Sequence, residues 1–194
     1  MAATRTTDDP ALASPVAYLI LGMLRIGARS GYDVKAAVDA STRFFWTISP
    51  AQIYPTLRRL EQAGLARGRS EPRGRRPRRI YELTPKGERA LIEWLRRDEP
   101  LTWELRDSGT LKLFFADALE PAEAAELLAA IRRRSERTLE RFRHEIQPAA
   151  EAFAAGAGIA CPAMSLGLGI AVHEAMVEAC RELEREVAPG ARVA

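Results

Sequence analysis

The chain has 194 residues, 47% hydrophobic and 28% charged, the composition of a soluble globular protein with one ordinary domain, or a small domain and an appendage. Its two cysteines, Cys161 and Cys180, lie in no CxxC or Cys/His spacing, which argues against a zinc site. With no secretory signal, that points to a reducing cytoplasm. The net charge of +3 conceals an asymmetry: residues 1–100 carry 18 basic and 11 acidic side chains, residues 101–194 carry 11 and 15, so the first half suits a polyanion.

Residues 1–13 lack an apolar core and read as a disordered arm. Ser14 and Pro15 then have the form of a cap and a first helical residue, with Val16, Leu19, Ile20, Met23 and Leu24 at helical intervals. After Gly27, Ser30 caps a second helix running to about Ala40, with Asp33 in its first turn where an acid favours the helix dipole. Phe44, Phe45 and Trp46 are expected to fill core in the connection that follows.

A third helix is written into Ser49-Pro-Ala-Gln52. Serine caps, proline takes the first helical position, and Gln52 completes a capping box. Gly64 ends it. Ile53, Leu57 and Leu60 make the apolar stripe and leave Gln52, Thr56, Arg58 and Arg59 on polar faces. Pro55 is unusual, since a proline in a helix interior costs about 3 kcal/mol; it either fixes a packing angle or belongs to a contact face.

From Arg67 to Arg79 there are seven arginines (67, 69, 73, 75, 76, 78, 79) against one acid, Glu71, a local net of +6. The chain uses 26 arginines and three lysines, but even that bias would place only about two arginines in such a window. Leu65-Ala-Arg67 and Arg79–Leu83 read as short strands around Pro72, Gly74 and Pro77. A basic hairpin after a polar-faced helix suits a duplex, the helix for a groove and the arginines for phosphates. Helix, helix, helix, hairpin is the order of a winged helix.

Thr84 and Pro85 start a fourth helix, and Pro100 interrupts the chain. A helix is expected around Leu111 to Leu119, then a long one from Pro121 to about Gln147, stopped by Pro148. At 1.5 Å per residue that rod is about 40 Å long. Gly156-Ala-Gly158 reads as a loop and Pro162 to Val187 as the last helix. The uncharged stretch 152–173 is rich in alanine and glycine and broken by Pro162, so it is not taken as a membrane span. Leu128, Ile131, Leu139 and Phe142 on the long helix, with Leu166, Ile170, Val177 and Leu183 on the last, pair either within the chain or across a dimer interface; the dimer is the favoured reading.

His144 and His173 stand in no nucleophile or metal pattern, Cys180 lies on an apolar stripe, and no phosphate-cradling glycine loop is present. No enzyme, cofactor or metal is expected.

Leu21-Gly-Met-Leu24, Gly31-Tyr32, Phe45-Trp46, Ser49-Pro-Ala-Gln-Ile-Tyr-Pro-Thr-Leu-Arg-Arg-Leu-Glu-Gln-Ala-Gly-Leu65 and Gly74-Arg-Arg-Pro-Arg-Arg-Ile-Tyr-Glu-Leu-Thr-Pro-Lys-Gly87 resemble the PadR-type transcriptional regulators, over residues 15 to 90. The wing departs from the family by an extra arginine and by Ile80 where an aromatic is common. Leu111-Lys-Leu-Phe-Phe115 is similar to a segment of larger members with a helical C-terminal region. The resemblance implies a mainly α fold: a winged helix-turn-helix of three helices and a two-stranded wing over residues 14–98, then an α-helical dimerisation and effector domain over 101–194. It implies double-stranded DNA as partner, a homodimer, a repressor's output, and Tyr54-Pro55 at the DNA face. The candidate DNA-contacting set is Tyr32, Lys35, Ser49, Gln52, Tyr54, Pro55, Thr56, Arg58, Arg59, Arg73, Arg75, Arg76 and Arg78, with Gln52 the residue for a base edge. Related regulators respond to phenolic or drug-like compounds, and Trp94, Trp103, Phe114 and Phe115 either line such a small-molecule effector pocket or fill core. The alternative is a winged-helix protein-interaction module working through its acidic helical tail.

Overall fold

Residues 1–100 and 101–194 fold as two units in the computed structural model, which describes residues 9–72, 78–101, 104, 106–154 and 161–187. The expected loop at Gly156–Gly158 and most of the N-terminal arm lie outside the described residues. The arm's end does not behave as expected: Asp9 Oδ1 accepts the Ala11 amide at 2.9 Å and caps a 3-10 turn over Pro10–Leu12, because Ala11 and Leu12 are apolar enough to bury in the core.

In the first unit, α1 (Pro15–Arg25), α2 (Gly31–Ala40) and α3 (Pro50–Gln62) are followed by β1 (Ala66–Glu71), β2 (Arg78–Leu83) and α4 (Pro85–Leu95). The starts are chemical. Ser14 Oγ accepts the Val16 amide at 3.3 Å, Ser30 Oγ that of Asp33 at 3.2 Å, and Thr84 Oγ1 that of Gly87 at 3.1 Å, each satisfying a donor that the helix itself leaves open. The end of α3 is set by Gly64 at φ 69°, which lets the Leu65 amide reach back to the Leu60 carbonyl at 2.8 Å and the Gly64 amide to Glu61 at 2.9 Å, a Schellman closure. The two strands pair antiparallel with Ala66 opposite Leu83 and Arg69 opposite Ile80.

Ile20, Leu21, Val34, Val38, Ile53, Leu57, Leu60 and Leu65 are fully buried and form the centre of the three-helix core. At about 1.5–3 kcal/mol per buried aliphatic side chain, this is the main stabilising term of the unit. Trp94 stacks on Tyr18 with ring centroids 4.7 Å apart and packs against the same core. The expectation for Phe44–Trp46 is corrected. Phe44 is half-buried, while Phe45 is 56% and Trp46 39% exposed, because a 3-10 turn at Thr42–Phe44 brings the Trp46 amide back to the Thr42 carbonyl at 2.7 Å and Ile48 takes the core position instead.

The second unit contains α5 (Ser108–Phe114), α6 (Pro121–Arg141), α7 (Gln147–Ala154) and α8 (Cys161–Val187). Pro148 does not stop the long helix. A π-helical segment at Phe142–Ile146 sends the Gln147 amide to the Phe142 carbonyl, five residues back, and the widened turn gives the proline ring room so that helix resumes as α7. Arg132 binds Glu184 at 2.8 Å, Arg181 binds Glu136 at 3.3 Å and Arg143 binds Glu174, so α6 and α8 run antiparallel.

Between them lies a closed seam. Leu128, Ile131, Ser135 and Leu139 from α6, Phe142 from the π-helical segment, and Leu166, Val177 and Cys180 from α8, are buried within the chain. Leu128, Ile131, Leu139, Phe142, Leu166 and Val177 therefore pack intramolecularly rather than awaiting a second copy: periodicity identifies a partner helix but not the chain that supplies it. Ile170 is half-buried and Leu183 lies at the exposed margin. Met164, Leu168 and Val172, 65%, 71% and 49% exposed, make a second apolar stripe on the far side of α8. This helix is long and apolar enough to cross a membrane by length and composition, yet one face is sealed on α6 and its second half carries Glu174, Glu178, Arg181, Glu182, Glu184, Arg185 and Glu186.

His173 stands edge-on to Phe142 with centroids 5.6 Å apart, and its Nδ1 is buried without a hydrogen-bond partner. Burial first, and the Arg134 charge second, hold its pKa below the ordinary value despite the opposing Asp107. The unfolded chain, with an ordinary histidine near 6.5, binds more protons than the folded one as pH falls, so acid destabilises the seam. Melting curves of the full chain between pH 7.5 and 5.5 should drop more steeply than those of His173→Phe; parallel profiles would refute the assignment.

Candidate nucleic-acid interface

The basic half of the chain presents two surfaces, the outer face of α3 and the wing beside it. On α3, Ile53, Leu57 and Leu60 point inward as the spacing requires, and Thr56 joins them at 1% exposure, its Oγ1 accepting Arg59 Nη2 at 2.9 Å. Thr56 is thus a core-side residue that orients Arg59, not a member of the polar face. A stripe with steps of three and four is wide enough to include it. Gln52, Tyr54, Pro55, Arg58 and Arg59 remain exposed.

The helix runs uninterrupted through Pro55, whose missing amide would have met the carbonyl of Ala51, a residue on the exposed side where water can serve it. Gln52 turns its side chain back on the helix start, Oε1 accepting both the amide and the hydroxyl of Ser49 at 3.1 Å. That leaves its amide NH2 group without a partner among the described residues. Tyr54 lies over Gly31: a Cβ there would come within 2.5 Å of the ring. Tyr32 is exposed beside it, while Lys35 forms an ion pair with Asp39 one turn along α2.

The wing's arginines divide into paired and unpaired. Arg69 meets Glu82 at 3.3 Å, Arg79 meets Glu61, and Arg78 Nη2 meets the Asp33 carboxylate and Ser30 Oγ. Arg67 is exposed and has no ion-pair partner among the described residues, as are Arg58 on α3 and Arg43 before it. Arg73, Arg75 and Arg76 lie outside the described residues. The +6 counted along the sequence is therefore partly cancelled by acids from other elements: Asp33 is 45 positions and Glu61 18 positions from its arginine. No local window contains them, so Ser30, Asp33, Glu61 and Glu82 carried no signal beyond Ser30 and Asp33 as a helix start.

Asp33 is tuned accordingly. Partial burial pushes the Asp33 carboxyl up, but hydrogen bonds from Ser30, the Arg29 amide (3.2 Å) and Arg78, with the Arg78 charge, outweigh it and leave the pKa below the ordinary value.

The four aromatic effector candidates do not behave as one group. Trp94 is a packing residue on Tyr18, Phe114 and Phe115 are exposed and edge-to-face at 5.0 Å in the second unit, and Trp103 lies outside the described residues. A groove of about 490 Å³ between α6 and α8 is lined instead by residues such as Leu139, Val177, Arg143, His144 and Glu140. Among the described residues no three His, Cys, Asp or Glu side chains gather as metal ligands.

Residues 20–93 match the Transcriptional regulator PadR-like family and residues 105–188 match the Virulence activator alpha C-term family. The chain is similar to the Negative transcriptional regulator PadR of Bacillus subtilis (strain 168), 35% identical over 111 residues. That match takes in 57% of this chain and 61% of the relative, less than two thirds of its length. In fold it is similar to Bacillus subtilis PadR in complex with operator DNA (TM-score 0.73, 24% identity, 89% of this chain and 98% of that one) and to the same protein in complex with p-coumaric acid (TM-score 0.67, 25% identity, 89% and 94%).

The lowered Asp33 pKa has a measurable sign. Its interactions stabilise the fold fully above the free carboxylate range, near 3.9, and are lost as pH falls through the depressed value. The difference in urea midpoint between the wild type and Asp33→Asn should be largest at pH 6 and shrink below pH 4; a difference that persists unchanged at pH 3 would contradict it.

Proposed function

Because the chain belongs to the PadR-like family of transcriptional regulators, we propose that it binds double-stranded DNA sequence-specifically as a homodimeric repressor and is released by a small aromatic or drug-like effector. The observation that carries the DNA reading is the outer face of α3, where Gln52, Tyr54, Pro55, Arg58 and Arg59 stand exposed over a sealed core with Arg67 and the wing beside them. Arg58 and Arg67 supply phosphate contacts, together with Arg73, Arg75 and Arg76. Gln52 reads a base: with Oε1 held by Ser49, its NH2 group donates to a major-groove acceptor such as a purine N7. The operator complex and the p-coumaric acid complex of Bacillus subtilis PadR support the DNA and effector parts.

The homodimer forms through the second unit. Since the α6–α8 seam is closed, a second copy packs on the outer stripe of α8, Met164, Leu168 and Val172, whose i, i+4, i+8 spacing suits a helix pair.

In a mobility-shift titration, DNA from upstream of the chain's own gene should be retained well ahead of random duplex; equal retention would end the specific-regulator reading. Gln52→Ala should change the preferred sequence at a cost of about 1–3 kcal/mol, while Arg58→Ala should weaken all sequences and lower the salt slope by about one. The pattern reversed would overturn this division of roles.

Light scattering should give the mass of a dimer for the wild type and of a monomer for Leu168→Glu/Val172→Glu. A double variant that stays dimeric with unchanged helicity moves the interface elsewhere.

A further inference from the structure

Arg78 and Arg79 are neighbours on β2, and neighbours on a strand point to opposite faces. Here each face meets a different helix. Arg79 reaches Glu61 near the end of α3, a carboxylate that lies so close over Gly68 of β1 that a Cβ there would come within 2.5 Å of it. Arg78 reaches the start of α2, where Nη2 donates to Ser30 Oγ and to the Asp33 carboxylate.

That second contact is built from several sides. Ser30 is buried, and its Oγ also accepts the Asp33 amide; Asp33 Oδ2 also accepts the Arg29 amide at 3.2 Å. Three residues along β2, the Tyr81 amide donates to the Arg29 carbonyl at 2.7 Å. The turn at Arg29–Asp33 therefore holds β2 at two points, one through the main chain and one through a charge-assisted contact in which the single nitrogen Nη2 meets both Asp33 oxygens and Ser30 Oγ.

We infer that Arg78 is a positioning residue for DNA binding: with Asp33 and Ser30 it clamps the wing to the start of α2 and so sets where the wing stands relative to α3, rather than contacting phosphate itself. This rests on the DNA-binding reading above. A guanidinium whose charge is offset by a carboxylate at Nη2 has less to offer a phosphate, and Asp33 would repel one. Arg67, exposed in the same wing, has no ion-pair partner among the described residues.

The two roles separate by experiment. Binding to DNA from upstream of the chain's own gene is measured across a salt series for the wild type, Arg78→Ala, Arg78→Lys, Asp33→Asn and Asp33→Asn/Arg78→Ala, each checked for a cooperative melt. The clamp requires that Asp33→Asn and Arg78→Ala each weaken binding about ten-fold and that the double variant be no weaker than either. It requires an unchanged salt slope in both. Arg78→Lys, which keeps the charge and is the variant least prone to misfold, should lose affinity too, because the lysine ammonium ends one bond short of the position from which Nη2 reaches Asp33 and Ser30.

If Arg78 touched phosphate, Asp33→Asn would leave binding unchanged or tighten it, Arg78→Lys would bind like the wild type, and Arg78→Ala would lower the salt slope by about 0.9. Any of these overturns the inference. A wild type that does not bind DNA overturns the functional reading and this inference with it. A wild type that binds while Asp33→Asn is neutral overturns the inference alone.

Discussion

Burial of one side of α3 is the constraint on which the first unit depends. Ile53, Thr56, Leu57 and Leu60 occupy successive turns of the same face and all four are sealed. A helix has only so much circumference, so sealing that arc determines what lies on the other one. Gln52, Tyr54, Pro55, Arg58 and Arg59 are exposed as the complement of a packing solution. Rigidity follows from the same source: a helix seated in a close-packed core presents its outer side chains from a fixed backbone. The Schellman closure at Gly64 then turns the chain directly into β1, so the wing begins at a defined place relative to that face.

Charge obeys a similar division. A polyanion-binding surface needs cations free to exchange small counterions for phosphates, and an arginine already engaged by a carboxylate contributes much less. In the wing, Arg69, Arg78 and Arg79 are engaged by Glu82, Asp33 and Glu61, whereas Arg67 is not. The engaged arginines join β2 to α2, to α3 and to β1. The same residue type thus serves both as fastener and as contact surface, and the three-dimensional neighbourhood decides which.

How much of this was legible in the sequence follows from the range of each interaction. Ser14-Pro15, Ser49-Pro50, Thr84-Pro85 and Gly64 are signals whose causes lie within four residues, and the helices begin and end where they indicate. The winged-helix order was readable for the same reason. The pairing of Arg78 with Asp33 was not, because nothing near either residue marks the other. Thr56 was misplaced because a hydroxyl reads as polar, although one buried on an α3 turn can be satisfied by its i+3 neighbour Arg59. Phe45 and Trp46 were misplaced in the opposite sense: hydrophobicity suggests burial, but a 3-10 turn and Ile48 left them outside. Pro148 illustrates a further limit, since its ability to continue a helix depends on the π-helical widening ahead of it, which no proline rule anticipates.

The second unit shows why apolar periodicity alone cannot locate an interface. α8 carries two stripes rather than one. Leu166, Val177 and Cys180 close on the neighbouring helices of the same chain, and the ion pairs Arg132–Glu184, Arg181–Glu136 and Arg143–Glu174 flank that seam and fix its register. Met164, Leu168 and Val172 face away from it. In an isolated chain this outer stripe leaves three large apolar side chains about half or more in water, each short of full burial by a part of the about 1.5–3 kcal/mol that it gives. The inner stripe explains why the unit folds; the outer one is an apolar surface that the fold leaves uncovered. Joining two copies there would bring the net-acidic half of each chain to the junction.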